Sequence, residues 1–416
     1  MIETKFKLEK GYTIPEEWEV IPLHQTATVF GRIGFRGYTV ADLVPELQGA
    51  ISLSPSNIQN GIMDYSKLTY LSWAKYEESP EIKIYNGDIL FVKTGSTYGK
   101  SAYVENLPWP STINPQFVVF KKIKCNARVL SCLLTQKKFK EQIESITSGG
   151  AIPTMSQAKL MTCLIPLPTP AEQKRIATAL SDIDDLISSM RKLIEKKKNI
   201  KTGVMQELLS GKKRLKGFSG DWKEEYFSSL YSYASEGGTP STSNKEFYER
   251  GNIPFVKIED TTNKYIYSTN SYINEKGLNN SSAWIVPTNS IILTNGATIG
   301  NVSINKIEVS TKQGILGIKV RPNYDVEFLY YLFSSYAFQK ELHIRESGGT
   351  FATVILKSLN TIPMLLPPTK AEQEAIAKVL SDMDAEIEQL EMRLTKYEDI
   401  KQGMMQQLLT GKIRLI

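Results

Sequence analysis

The chain has 416 residues, is 41% hydrophobic and 23% charged, and carries a net charge of +6. That profile suits a soluble protein of two or three domains. It excludes a helical membrane protein, because no apolar run approaches the roughly 18 residues of a span. The N-terminal MIETKFKLEK also lacks the apolar core of a signal peptide. The cysteines, Cys125, Cys132 and Cys163, are odd in number and have no CxxC spacing. They fit a reduced, cytoplasmic setting and argue against a structural zinc site.

In chain order, residues 1–168 read as a mixed α/β domain. Trp18 comes early, then irregular Gly- and Thr-rich stretches (GRIGFRGYT and GAISLSPSNI). An apolar strand then enters a glycine turn in GDILFVKTGSTYGKSAYV, Gly87–Val104. A further strand, Pro115–Ile123, and a short helical stretch lead to Ser148-Gly149-Gly150. Residues 169–215 read as a long helix. Thr169 and Glu172 fit a capping box with Pro170 at the first helical position. Ile176, Leu180, Ile183, Ile187, Met190 and Ile194 follow at alternating spacings of 4 and 3, a heptad seam. Gly211 is the expected stop. This is the basic element of the chain, with Lys and Arg outnumbering Asp and Glu by 11 to 6, and Lys196, Lys197 and Lys198 in a row.

Residues 216–368 repeat the domain plan. Trp222, a GGTPSTSN stretch, the strand and glycine turn of TNSIILTNGATIGNVSI (Thr288–Ile304), the strand Lys312–Val320 and Ser347-Gly348-Gly349 follow in the same order. Residues 369–416 repeat the helix: Thr369 and Glu372 at the start, then Ile376, Leu380, Met383, Ile387, Leu390 and Leu394, with Gly411 as the stop. Aligned without a gap, residues 169–215 and 369–415 are identical at 23 of 47 positions. A duplication on this scale predicts a pseudo-symmetric molecule. A helix of about 40 residues with so narrow a seam needs a partner. The other copy, packed antiparallel, is the economical one. Gly203 and Gly403 sit at the same place in both helices, which points either to a close backbone approach there or to plain descent from one ancestral copy. The fold class is therefore α+β: two mixed α/β domains alternating with two long helices that pair as an antiparallel coiled coil. Because GKIRLI at the end continues naturally into the KLEKGY of the start, a circular pseudo-twofold arrangement is expected.

Motifs for catalysis do not assemble. GSTYGKS has three residues between its glycines where a P-loop needs four, and its counterpart GATIGNV has Asn301 for the lysine. Asn114-Pro115-Gln116-Phe117 resembles the catalytic motif of amino-methyltransferases but lacks its second proline, and no glycine-rich cofactor loop precedes it. The two histidines, His24 and His343, are not equivalent, and no metal-ligand spacing is present. The chain is expected to recognise rather than react.

The polar loops suit DNA, whose base edges and phosphates are met by Lys, Arg, Asn, Gln, Ser and Thr. The candidates are Arg32, Arg36, Ser54, Lys93, Thr94, Ser96, Tyr98 and Lys100 in the first domain, and Lys257, Asp260, Thr294, Asn295, Thr298, Asn301, Lys312 and Gln313 in the second.

The whole pattern resembles the specificity subunit of type I restriction–modification systems. The openings AEQ…IA…LSD.D (Ala171–Asp184 and Ala371–Asp384) and the closings MQELLSGKKRL and MQQLLTGKIRL carry the resemblance. So does GGTPSTSN…IPFVKIED…GATIGN in the second domain. It implies a non-catalytic chain whose domains each read one half of a split, asymmetric double-stranded DNA target. The paired helices would set the gap and dock two methyltransferase subunits, joined by restriction and translocase subunits. S-adenosylmethionine, ATP and Mg would belong to those partners, and no metal to this chain. The rival reading is a coiled-coil scaffold that does not read DNA.

Overall fold

In the computed structural model, residues 5–32, 37–147, 154–347 and 352–416 are described. Arg36 and the two serine–glycine–glycine segments, save Ser347, lie outside them. The long helices run Pro170–Leu209 and Lys370–Leu408, about 60 Å each at 1.5 Å per residue. Both end as expected, two to three residues before a glycine in the left-handed region: Gly211 at φ 69° and Gly411 at φ 71°. The chain divides into two compact units, Met1–Met190 with Arg393–Ile416, and Arg191–Met392. The division falls inside both helices, so each unit holds one α/β domain and part of each helix.

In the first unit, a four-stranded antiparallel sheet runs in the order Ser101–Tyr103, Ile89–Val92, Phe117–Lys121, Thr28–Gly31. A second sheet has the order Ser111–Ile113, Ala50–Leu53, Tyr70–Leu71, Leu43–Val44. The strand Ile89–Val92 is apolar throughout because both of its faces are covered. Ile89 and Phe91 face a core with the helices Ala127–Leu133 and Lys137–Ile146, while Leu90 and Val92 join Ile51 and Leu53 in a second core. The second unit repeats this with a five-stranded sheet ordered Tyr231–Glu236, Ile315–Val320, Ile291–Thr294, Val302–Asn305, Tyr265–Ile266. A three-stranded sheet, Tyr272–Ile273, Ile253–Val256, Ser310–Thr311, accompanies it. Ile291 and Leu293 point to one core and Ile292 to the other.

Each unit builds its main core on both long helices. Ile176 and Leu180 share a core with Leu408 and Leu409 in the first unit, as Ile376 and Leu380 do with Leu208 and Leu209 in the second. Of the remaining seam positions, Ile183, Ile187, Ile194 and Ile387 are buried and Met190, Met383, Leu390 and Leu394 half-buried. Within the second unit, Lys197 and Lys198 pair with Glu386 and Glu391 at 2.6 Å each, and Lys201 pairs with Asp384. Two of the three consecutive lysines are thus neutralised by the other helix. The close approach expected at Gly203 and Gly403 is absent: a methyl group built at either glycine meets nothing within 4 Å.

Two buried carboxylates anchor the domains to the helix starts. In the first unit Glu172 accepts from Trp18 Nε1 at 2.8 Å and from Arg414 Nε and Nη2 at 2.7 and 3.0 Å. In the second, Glu372 accepts from Arg214 Nε and Nη2 at 2.6 and 2.8 Å and from Trp222 Nε1 at 3.3 Å. The capping-box reading is corrected by this: both glutamates turn away from their own helix starts, because a buried carboxylate gains more from a two-pronged guanidinium. One half of the box persists, with Glu372 N donating to Thr369 Oγ1 at 3.3 Å. The next residues complete the anchor. Gln173 Oε1 accepts from Asn126 N at 2.8 Å and Gln373 Oε1 from Asp325 N at 2.9 Å, each at the cap of the domain's own helix.

Candidate nucleic-acid interface

The glycine turns are tight hairpin connections, antiparallel strand to antiparallel strand. Neither opens a helix, which disposes of the P-loop geometry. In the second unit Thr294 N donates to Asn301 O at 3.0 Å, Gly300 N to Thr294 O at 2.9 Å, and Asn301 N to Thr294 Oγ1 at 2.8 Å. Ala297 and Gly300 both take the left-handed conformation, at φ 57° and 100°. A second turn, Lys312–Gly314, lies against the first: Asn295 N and Gly296 N both donate to Gly314 O, at 3.0 and 3.2 Å. A Cβ on Gly296 would lie 3.2 Å from Gly314 Cα, so the two turns approach closely here and a larger residue would have to push them apart by a few tenths of an ångström. Lys312 N donates to Val256 O at 3.0 Å and Asn301 Nδ2 to Thr261 Oγ1 at 3.1 Å, which adds the Lys257–Asp260 loop to the same end.

The sixteen candidates therefore fall into distinct classes. Thr298, Lys312 and Gln313 are exposed on the paired turns of the second unit, and Lys257 and Asn301 are half-buried beside them. Asp260 shapes its own loop by accepting from Lys257 N at 2.9 Å. Thr294 and Asn295 are buried. Asn295 Nδ2 donates to Val354 O at 3.0 Å and Val354 N to Asn295 O at 2.8 Å, so this side chain holds the turn from inside. In the first unit Ser96 and Lys100 are exposed, and Ser54, Lys93, Thr94 and Tyr98 half-buried. Burial holds the Lys93 ammonium below the usual lysine pKa. Tyr98 packs against the domain core. Ser54 N donates to Asn57 Oδ1 at 2.9 Å, an internal turn contact. Arg32 is 4% exposed, with Nε on Ile113 O at 3.0 Å and Nη2 on Thr112 Oγ1 at 3.1 Å. Arg32, Thr294 and Asn295 thus serve the frame: Arg32 Nε and Nη2, Thr294 Oγ1 and Asn295 Nδ2 are each bonded within the domain, while Asn295 Oδ1 is buried without a hydrogen-bond partner among the described residues.

Asn114 and Gln116, which are not among the sixteen sequence candidates, belong to the first unit's second polar turn. Lys93 N donates to Gln116 O at 2.8 Å, Asn114 N to Leu53 O at 2.9 Å, and Asn114 Nδ2 to Gln116 Oε1 at 3.0 Å. This turn occupies in the first unit the place of Lys312–Gly314 in the second. The signal was available: each turn immediately precedes the strand that pairs with the glycine-turn strand. Two more residues meet the glycine turns, Thr154 bridging Thr94 and Thr353 bridging Gly296. Among the described residues, no group of three or more His, Cys, Asp or Glu could hold a metal ion, and no helix is long and apolar enough to cross a membrane.

A model of the type I restriction modification DNA specificity domain matches the chain twice, over residues 35–199 and 220–396, and the chain belongs to that family. It is 28% identical over 442 residues to the type I restriction enzyme MjaVIII specificity subunit of Methanocaldococcus jannaschii, covering 99% of this chain and 97% of that one. Its fold is similar to the type I restriction–modification S subunit from M. genitalium, with a TM-score of 0.55 at 15% identity over 98% of this chain and 99% of that one. A chain solved in work on the assembly and conformational transition of a type I system gives a TM-score of 0.60 at 16% identity, covering 97% and 100%. The two structural likenesses are likenesses of fold.

Proposed function

We propose that this chain is the DNA sequence-specificity subunit of a type I restriction–modification system. The observation that carries the reading is the duplicated specificity domain, each copy ending in two interlocked polar turns whose residues differ between the copies. One domain reads one half of a split double-stranded target and the other reads the second half. Because the turns carry Ser96, Lys100 and Gln116 in one unit and Thr298, Lys312 and Gln313 in the other, the two halves differ in sequence and the site is asymmetric. The long helices pair as an antiparallel coiled coil and set the gap between the halves. They dock two methyltransferase subunits, with restriction and translocase subunits beyond. The chain itself catalyses nothing. S-adenosylmethionine, ATP and Mg belong to the partners, and the assembly works in the cytoplasm. Support comes from the seam spacing, from the ion pairs Lys197–Glu386 and Lys401–Asp184, each inside its own unit, and from the relatives' names.

The test is a domain exchange. Residues 1–168 are replaced by the first domain of another family member, and the target is mapped with the methyltransferase partner present. One half of the target changes and the other half and the gap stay. A change in both halves would overturn modular reading.

A further inference from the structure

Each recognition domain is fastened to the helices at a second point, twelve residues beyond the buried glutamate. In the second unit that point is Asp384 (384 − 372 = 12), about 18 Å along the helix from Glu372 at 1.5 Å per residue. Tyr331, from the domain helix Val326–Ser334, donates its hydroxyl to Asp384 Oδ2 at 2.6 Å. Lys201, from the first long helix, pairs with the other oxygen. Lys264, just before the strand Tyr265–Ile266, reaches Tyr331 Oη at 2.8 Å, Ser381 Oγ at 3.0 Å and Glu327 Oε2 at 2.8 Å. Its ammonium also sits 4.4 Å from the centre of the Tyr331 ring. One polar cluster thus joins two segments of the domain to both long helices.

The first unit makes the same attachment with different chemistry. Asp184, again twelve residues after its glutamate (184 − 172), takes Arg128 Nη1 at 3.3 Å from the domain helix Ala127–Leu133 and Lys401 at 2.6 Å from the second long helix. Arg128 extends to Glu105 at 2.5 Å. The aspartate and the lysine are common to both units, and the domain supplies its own donor.

We propose that Tyr331 and Lys264, through Asp384, are positioning residues for DNA-gap discrimination: they fix the angle of the second domain on the helices without touching DNA. This rests on the split-target reading proposed above. The physical argument is one of attachment. Apolar contacts such as Ile376 and Leu380 are non-directional and allow a domain to slide or swivel. A body held by directional bonds at one point still pivots. Held at two points about 18 Å apart, it keeps only a turn about the line joining them and can no longer tilt along the helix. Adding one base pair to the gap turns a half-site by about 34° and moves it about 3.4 Å, from about 10.5 base pairs per turn. A domain with both fastenings cannot follow that displacement, and a domain with one can.

The experiment uses the full chain with its methyltransferase partner. Substrates carry the mapped target with its natural gap, or the gap shortened or lengthened by one base pair. For the wild type the off-gap substrates are methylated far more slowly. Tyr331→Phe keeps the ring and removes the hydroxyl; Ser381→Ala is the milder variant. Both are expected to raise off-gap relative to natural-gap methylation at least tenfold for Tyr331→Phe and severalfold for Ser381→Ala, with the bases required in each half unchanged. Leu342→Val, a core change in the same domain away from the cluster, controls for lost stability. Unchanged ratios in both cluster variants, or equal relaxation in Leu342→Val, would overturn the inference. A wild type that methylates no split motif would instead overturn the reading of function beneath it.

Discussion

Removing the Glu172 carboxylate should be among the most damaging single changes in the chain. Glu172 is nearly inaccessible, with its side chain 3% exposed and that of Arg414 9%. It satisfies Trp18 and Arg414 together, and Arg414 Nη1 also reaches Glu17 Oε2 at 3.0 Å. Glu172→Ala leaves the Trp18 indole N–H and the Nε and Nη2 of Arg414 without their buried acceptor, and among the described residues only the exposed Glu17 still meets the guanidinium. Breaking a buried pair by deleting one partner costs about 3–5 kcal/mol. Glu372→Ala deletes the same group, but Arg214 is 26% exposed and recovers some hydration. Values of about 4 kcal/mol for Glu172→Ala and about 3 kcal/mol for Glu372→Ala follow. For units of this size each kcal/mol lowers Tm by about 2–4 °C, so the losses are about 8–16 °C and about 6–12 °C. Glu172→Gln keeps an acceptor and loses roughly half as much. Circular dichroism melts of the three variants at neutral pH check this. A Glu172→Ala loss below 2 °C, or a larger loss in Glu372→Ala, would refute the reasoning from burial.

Two further outcomes are expected. Lys312→Ala and Lys100→Ala should weaken binding of all DNA sequences alike, and each should reduce the slope of log Kobs against log salt by about 0.9 if the lysine meets one phosphate; filter binding between 50 and 200 mM salt measures it, and an unchanged slope assigns the lysine no phosphate. Two glycines should respond in opposite directions to alanine. In Gly237→Ala the new methyl lies 1.9 Å from Thr311 O, a backbone atom, so the variant should fail to fold or lose at least about 4 kcal/mol. Gly203→Ala meets open space and should gain about 1 kcal/mol. Urea titration of both reads the difference, and a destabilised Gly203→Ala would restore the close approach that its shared position suggested.

Short-range pattern carried much of this fold. The heptad spacing and the glycine stops placed the long helices to within a few residues, since periodicity and left-handed glycine are local properties. The strands ILFV and IILT were readable as apolar strands for the same reason, and their burial on both faces came from the fold. What failed was partner choice. Glu172 looked like a helix cap because its spacing from Thr169 is a local rule, whereas its partners Trp18 and Arg414 lie 154 and 242 residues away. The repeat itself held the missing information: Trp, Glu and Arg recur at matching places in both halves, and a trio kept through a duplication points to one contact. Among the interface candidates, polar type did not separate Lys312, which is exposed, from Asn295, which is buried and bonded to Val354. Exposure depends on which turn packs on which, and that is fixed by register between distant strands.

The measurement that bears most directly on the central claim is a methylation map. The chain is expressed with the methyltransferase proposed as its partner in a host free of adenine methylation, and modified adenines are located by long-read sequencing. A single split motif, with two different halves and one modified adenine in each, is the predicted result. A continuous or palindromic motif, or no motif while both proteins are soluble and associated, would contradict the account.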